Sequence, residues 1–461
     1  MAMGTRTSAQ PPLWIAASDL PVSPGHPFYA RLNAALEAAA FDAFVETQCR
    51  RFYAPVMGRP SLTPGRYVRL LLVGYFEGID SERGIAWRAA DSLAVRSFLR
   101  LGLDEAAPDH STISRTRRLI DIETHRAVFT WVQQQLAIAG LLKGHTVAID
   151  ATTLEANAAM RSIVRRDTGE GYVAFLTRLA HASGIKTPTR DALARLDRKR
   201  KKKGSNNEWV SPADPDARIT KMKDGTTHLA HKVEHAVDLD TGAVVAVTLH
   251  AADQGDTTTI QETTIQAAEQ VAAVAANPTA APSLHRRGLT DVVGDKGYHS
   301  DQALEDLHDL GIRTYVSAPV RGRRDWSAHP DAQRLTYANR RRMRGARGQR
   351  LRRRRAELGE RSFAHHYETG GLRHLYLRGR TNILKRLLIH SGAFNLSLIL
   401  RRDLGVGTPR GLQGRARALL TLLPSCGGPL LALVTRAVVL ALRFGACSHR
   451  VSSHDPELGF A

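Results

Sequence analysis

Twice in this chain a short apolar run of β-branched residues ends in an aspartate, HTVAID at residues 145–150 and LTDVVGD at 289–295. Each run is too short for a buried helix, and the simplest account is a buried strand that delivers Asp150 or Asp295 at its carboxyl end. An open α/β sheet exposes its functional edge there. The pattern therefore constrains everything after residue 143 to an α/β arrangement. With 461 residues, 43% of them hydrophobic, the chain has two or three domains' worth of sequence and ample material for a core, which excludes a disordered basic tail.

The segments between and beyond the two runs extend the pattern. HLAHKVEHAVDLDTGAVVAVTLHAAD carries two β-rich runs separated by residues 238–242, an antiparallel hairpin by its turn chemistry. A helix is expected at about 258–275, then one in SDQALEDLHDLG capped by Ser300 and stopped by Gly311. IRTYVSAP reads as a strand and AELGERSFAHHYE as a helix carrying Glu357, Glu360 and Arg361. Strand with Asp, hairpin, helix, strand with Asp, helix, strand, helix with Glu resembles the layout of an RNase H-like sheet. Residues 155–225 are polar and irregular, with RKRKKK at 198–203, and read as a mobile insertion in a catalytic domain covering 143–402.

Residues 28–140 read as helical instead. Thr63 and Pro64 mark a helix start, and SERGIAWRAA, SLAVRSFLRLG and STISRTRRLI follow as shorter helices, the last capped by Ser111. Short helices ending in a polar, basic one fit a helix-turn-helix element, with Arg115, Arg117 and Arg118 as DNA contacts.

Charge then identifies the partner. The net charge is +21, yet residues 1–140 contribute only +2 and 141–320 contribute −1, so +20 falls in 321–461. Ten of the sixteen positions in 340–355 are Arg and none is acidic. A polyanion is expected there, with Arg340, Arg341, Arg342 and Arg344 as phosphate contacts. Acid residues at strand ends, joined by a helix carboxylate, make an oxygen-only cage suited to Mg²⁺ or Mn²⁺. Two such ions about 4 Å apart activate the attacking oxygen and stabilise the leaving one in phosphoryl displacement.

Other chemistries lack their motifs. No G-x-S-x-G or Walker A sequence occurs. His228, His231 and His235 lie in a strand pattern that puts His228 on the opposite face from the other two, which argues against zinc. Three distant cysteines, Cys49, Cys426 and Cys447, exclude a disulfide scaffold, and no secretory signal is evident, so a cytoplasmic protein is expected. In the tail, 403–461, the uncharged run 418–435 is interrupted by Pro424, Gly427 and Gly428, which favours packing over membrane insertion.

At these residues the chain resembles the DDE transposases of bacterial insertion sequences, the lineage grouped around the IS-four and IS-five types. The matching stretches are GRPSLTP, PDHSTISRTR, AIDATTLEANA, HKVEHAVDLDTG, GDKGYHS, GERSFAH, GGLRHLYLRGR and FNLSLIL with Asn395, in order over residues 28–402. The resemblance implies an RNase H-like (retroviral integrase-like) catalytic domain behind an all-helical DNA-binding domain. It also implies Asp150, Asp295 and Glu360 as the metal-binding and catalytic triad. Lys296, Tyr298 and Arg361, with Arg378 and Arg380, become DNA or metal-site supports. The implied partners are double-stranded DNA, both element ends and target, and a second copy of the chain. Two departures stand out. The family's lysine beyond the Glu is replaced by HHYE, with Tyr367 nearest its place, and Glu357 on the same helix is an alternative third ligand. A copy retaining DNA binding alone, or an RNase H-like nuclease, are the competing expectations.

Overall fold

The computed structural model describes residues 25–412 apart from 55–57, 59, 60, 201–203, 223, 224, 320, 321 and 323. The uncharged run at 418–435, Cys426, Cys447 and part of RKRKKK lie outside the described residues.

Seven helices come first: α1 (Pro27–Ala38), α2 (Phe41–Cys49), α3 (Pro64–Glu77), α4 (Glu82–Asp91), α5 (Leu93–Phe98), α6 (His110–Leu119) and α7 (Ile122–Ile138). Helix α3 starts with Pro64 at its first position, as expected, and ends at Gly78, whose φ of 69° is readily open only to a residue without a Cβ. Helix α6 differs from expectation at its start. Asp109, not Ser111, is its cap, accepting from the Ser111 amide at 2.8 Å. A carboxylate at the cap also complements the helix dipole, an advantage that Ser111 lacks.

The sheet contains β1 (Thr146–Glu155), β4 (Arg218–Lys221), β5 (Thr227–Asp238), β6 (Val244–Ala251), β7 (Asp291–Gly294) and β8 (Arg313–Val316). A separate pair joins β2 (Val164–Arg165) to β3 (Trp209–Val210). In the main sheet, β6 and β4 both pair with one edge of β5, and β1, β7 and β8 follow in that order on the other side. Strand β5 is antiparallel to its neighbours, whereas β1, β7 and β8 run parallel. The expected hairpin is β5–β6, closed by Gly242 at φ 83°.

Helices α10 (Asp256–Ala275) and α11 (Asp301–Asp309) pack with α7 on one face of the sheet. Val147, Ile149, Ala236, Val245, Ile260, Val271, Val292, Leu307 and Val316 form the core there, all buried. Burial of each larger aliphatic side chain contributes about 1.5–3 kcal/mol. The other face carries α13 (Ala346–Glu368), preceded by α12 (Pro330–Arg344). The arginine run is thus helical throughout apart from Gly345, so its side chains radiate around two helices.

Helix α14 (Arg380–Leu404) joins the helical region to the sheet, touching α3, α7 and β6. It is apolar enough to pass a membrane-span test by composition, but 78% of its apolar window is buried in the protein, as suits a core helix. Its Asn395 accepts from the Val244 amide at 2.9 Å and donates to the Val244 carbonyl at 2.8 Å, blocking the end of edge strand β6.

The stretch 155–225 folds locally instead of being irregular. It contains α8 (Tyr172–Ala182), α9 (Arg190–Lys199) and the β2–β3 pair. Trp209 is buried there with Ala156, Ile163, Ala217 and Leu229, and Tyr172 and Phe175 meet its ring edge-on. Polar composition hid this small core because one tryptophan supplies much of its apolar area.

Candidate active site

Strand β1 pairs with β7 through Thr146–Asp291, Val147–Val292 and Ala148–Val293. Continuing that register by two residues brings Asp150 level with Asp295. Asp295 follows directly on β7, as expected, but Asp150 lies in mid-strand, because β1 runs on to Glu155 against β5. What ends at Asp150 is the parallel pairing, not the strand. Alternation then sends Ile149 toward α10 and Asp150 toward α13.

Both carboxylates meet one cation. Arg355 Nη2 lies 3.0 Å from Asp150 Oδ1 and 3.6 Å from Asp295 Oδ2. The Asp150 oxygen also accepts from the Ala151 amide at 3.1 Å, and Asp295 Oδ1 accepts from the Gly297 amide at 2.8 Å. Burial raises the pKa of Asp150, and the Arg355 charge opposes that shift.

Helix α13 closes this face. A Cβ on Gly359 would stand 3.5 Å from Asp150 Oδ2, so glycine lets the helix backbone approach the carboxylate. Further along, Phe363 stacks on His235 and Ser362 bonds the His235 Nδ1 at 3.0 Å. Tyr367, at the place of the expected lysine, shares a hydrogen bond with Thr152. Its hydroxyl pKa is raised by burial.

Glu360 is not brought to the aspartates. It is exposed and makes no hydrogen bond or ion pair among the described residues. One helical residue past Gly359, it is turned about 100° from the face that covers Asp150. Glu357 is also exposed, on the far side of α13. Among the described residues no three His, Cys, Asp or Glu side chains are grouped closely enough to hold a metal ion.

Behind the pair, on the α10 face, is a buried polar network that sequence reasoning missed. Glu234, fully buried, accepts from Thr259 and Thr263 hydroxyls at 2.5 and 2.6 Å and from Tyr298 at 3.2 Å. Lys232 Nζ lies 3.0 Å from Glu234 and 2.7 Å from Asp256 Oδ1. Tyr298 therefore points inward under the site and away from DNA, so of the two roles expected for it only support of the metal site stays open. Burial and the neighbouring Glu234 hold its hydroxyl pKa well above the usual value. The available signal was HKVEH itself, since alternation puts Lys232 and Glu234 on one face of an otherwise apolar strand.

The other basic residues divide into free and tied. Arg115 and Arg118 are exposed on α6, but Arg117 is buried against Glu82 at 2.7 Å and is unavailable to DNA. Arg342 is half-buried and donates to the Thr314 carbonyl at 2.9 Å. Arg347 pairs with buried Asp291, and Arg354 with the Asp240 carbonyl. Arg340 lies over the Tyr337 ring. Arg378 donates to the Asn157 carbonyl and Arg380 to the Leu249 carbonyl. Arg341, Arg344, Arg350, Arg352, Arg353, Arg361 and Lys296 are exposed, with no side-chain partner among the described residues.

Two family profiles match the chain in the order of its parts. Residues 19–119, over the helical region, match the Transposase domain (DUF772), and residues 146–396 match the Transposase DDE domain. No curated protein and no solved structure matches. The DDE match starts at the first residue of β1 and takes in both aspartates, α13 and most of α14. With that domain spanning more than half of its length, the chain belongs to the DDE transposases, enzymes that cut DNA and transfer the cut strand.

Proposed function

We propose that this transposase is of the IS-four/IS-five type and has an RNase H-like catalytic domain. It binds the terminal inverted repeats of its own insertion sequence and cuts there with Mg²⁺ or Mn²⁺, two ions being the expected complement. The carrying observation is that Asp150 and Asp295 stand level on adjacent parallel strands and converge on one positive charge, that of Arg355. The fold reading is supported by the order of strand, hairpin, helix, strand, helix and strand around that pair, followed by α13.

The residues fit a hard divalent cation. Their donors are carboxylate oxygens only, and the pair already meets a single cation. Asp150 and Asp295 would hold the metal, with Glu360 as the third ligand. Gly359 brings the α13 backbone against Asp150, so the neighbouring Glu360 starts one residue away. The bound ions supply activation of the attacking oxygen and charge neutralisation at the leaving one. Water attacks the phosphorus, the P–O3′ bond breaks and a 3′ hydroxyl is freed. That hydroxyl then attacks a target phosphorus, displacing a second 3′ oxygen, with the same carboxylates serving both steps.

Arg341, Arg344, Arg350, Arg352 and Arg353 hold the DNA backbone beside the site, and Arg115 and Arg118 of α6 contact the repeat. Pairing two element ends requires a homodimer or larger assembly, acting in the bacterial cytoplasm. The test is cleavage of labelled element-end DNA in Mg²⁺. Asp150→Asn, Asp295→Asn and Glu360→Gln are each expected to impair cutting severely, the two aspartate variants most. A variant that cuts as well as the wild type removes that residue from the triad, and wild-type protein that binds the ends without cutting leaves recognition alone.

A further inference from the structure

Asp256, the first residue of α10, lies beside Asp295 on the side away from Arg355. A Cβ built on Gly297 would stand 2.7 Å from Asp256 Oδ2 and 3.0 Å from Asp295 Oδ1. The two carboxylates therefore flank the same glycine, and its lack of a side chain is what lets them approach. Asp256 is anchored from below, because its Oδ1 lies 2.7 Å from the buried Lys232 ammonium. Lys232 is fixed in turn by Glu234 at 3.0 Å and the Thr259 hydroxyl at 2.8 Å. One Asp256 oxygen is thus neutralised within the protein while the other faces the Asp295 turn.

We propose that Asp256, tethered by Lys232, is a positioning residue of the cutting site: it fixes the Asp295 turn from the α10 side and adds negative potential that strengthens metal binding. This rests on the metal-dependent reading above. Arg355 touches Asp150 and Asp295 from the α13 side and the Gly297 amide caps Asp295 Oδ1, so Asp256 adds the α10 side of the turn to those contacts. Lys232 is one cation facing two carboxylates, so the Lys232, Glu234 and Asp256 group keeps a net negative charge, and the Asp256 oxygen that is not paired with Lys232 directs it at the site.

The test is Mn²⁺ binding to the full-length protein by titration calorimetry, without DNA, with melting temperature as the check on folding. Asp256→Asn is expected to weaken Mn²⁺ binding about tenfold, the scale for residues that orient metal ligands. Gly297→Ala drives a methyl group against the same oxygen and is expected to give a comparable loss, with no further loss when added to Asp256→Asn. Wild-type affinity in Asp256→Asn overturns the proposal, as does full additivity of the two substitutions. Wild-type protein that binds no Mn²⁺ overturns the metal reading and this inference together, so the two failures are distinguishable.

Discussion

The acids of this site come from two kinds of element, and they behave differently. Asp150 and Asp295 are carried by adjacent strands whose pairing fixes their depth, and they meet at one guanidinium. Glu357 and Glu360 are carried by a helix, and both face solvent. In a sheet, hydrogen-bond register sets which residues stand level. On a helix, the packed face decides, and α13 is rotated to present Arg355, Gly359, Ser362 and Phe363. A carboxylate one residue from that face is near the site without being in it.

The strongest way to break this contrast is at the strands. Asp150→Asn or Asp295→Asn should lower end cleavage by a factor on the order of 10³ or more, consistent with loss of metal-centred charge stabilisation. Binding of the same DNA, measured by gel shift, should persist. Next, Glu360→Gln should lower cleavage by a factor on the order of 10² while Glu357→Gln stays near wild type. The opposite ranking would reassign the third ligand to Glu357.

Acid tests how α13 is seated. His366, buried on α13, has its pKa lowered by burial to about 4, and burial also lowers His235 opposite it. A histidine pKa lowered in the folded state means that the unfolded chain takes up the proton first. Stability is then fully present above pH 6.5 and is lost as pH falls from 6.5 toward 4, by about 3 kcal/mol for His366. Denaturant melts at pH 7 and pH 4.5 should register this, and His366→Gln should flatten the difference.

Removing the shared cation is a smaller perturbation. Arg355→Gln should cost about 1–2 kcal/mol without metal, because Asp150 is largely buried while Asp295 is partly screened by solvent. Added Mg²⁺ should restore part of that loss in thermal melts, and no restoration would argue against the pair as a cation site. Smallest of all, Arg352→Ala or Arg353→Ala should each reduce the slope of log affinity against log salt by about 1. Arg342→Ala, already tied to Thr314, should leave that slope unchanged.

Much of the sheet was legible because its signals are local. Apolar β-branched runs marked β1 and β7, the 238–242 turn marked the hairpin, and Ser300 and Gly311 bracketed α11. The core around Trp209 was not, since its partners come from both ends of a polar stretch. Nor was the division of the arginines. Arg352 and Arg354 are equivalent by composition, yet only Arg354 meets a carbonyl on the distant β5–β6 turn.

The sequence by itself determined that two short apolar β-branched runs each lead into an aspartate, that a helical region precedes them, and that the positive charge gathers in the last third. These follow from residue type and spacing along the chain. Only the tertiary structure decided that Arg355 joins the two acids, that Tyr298 turns inward to Glu234, and that Asp256 shares the Gly297 turn with Asp295. Each of those contacts joins segments tens to hundreds of residues apart, and the packing of α10 and α13 on opposite faces of the sheet selects them.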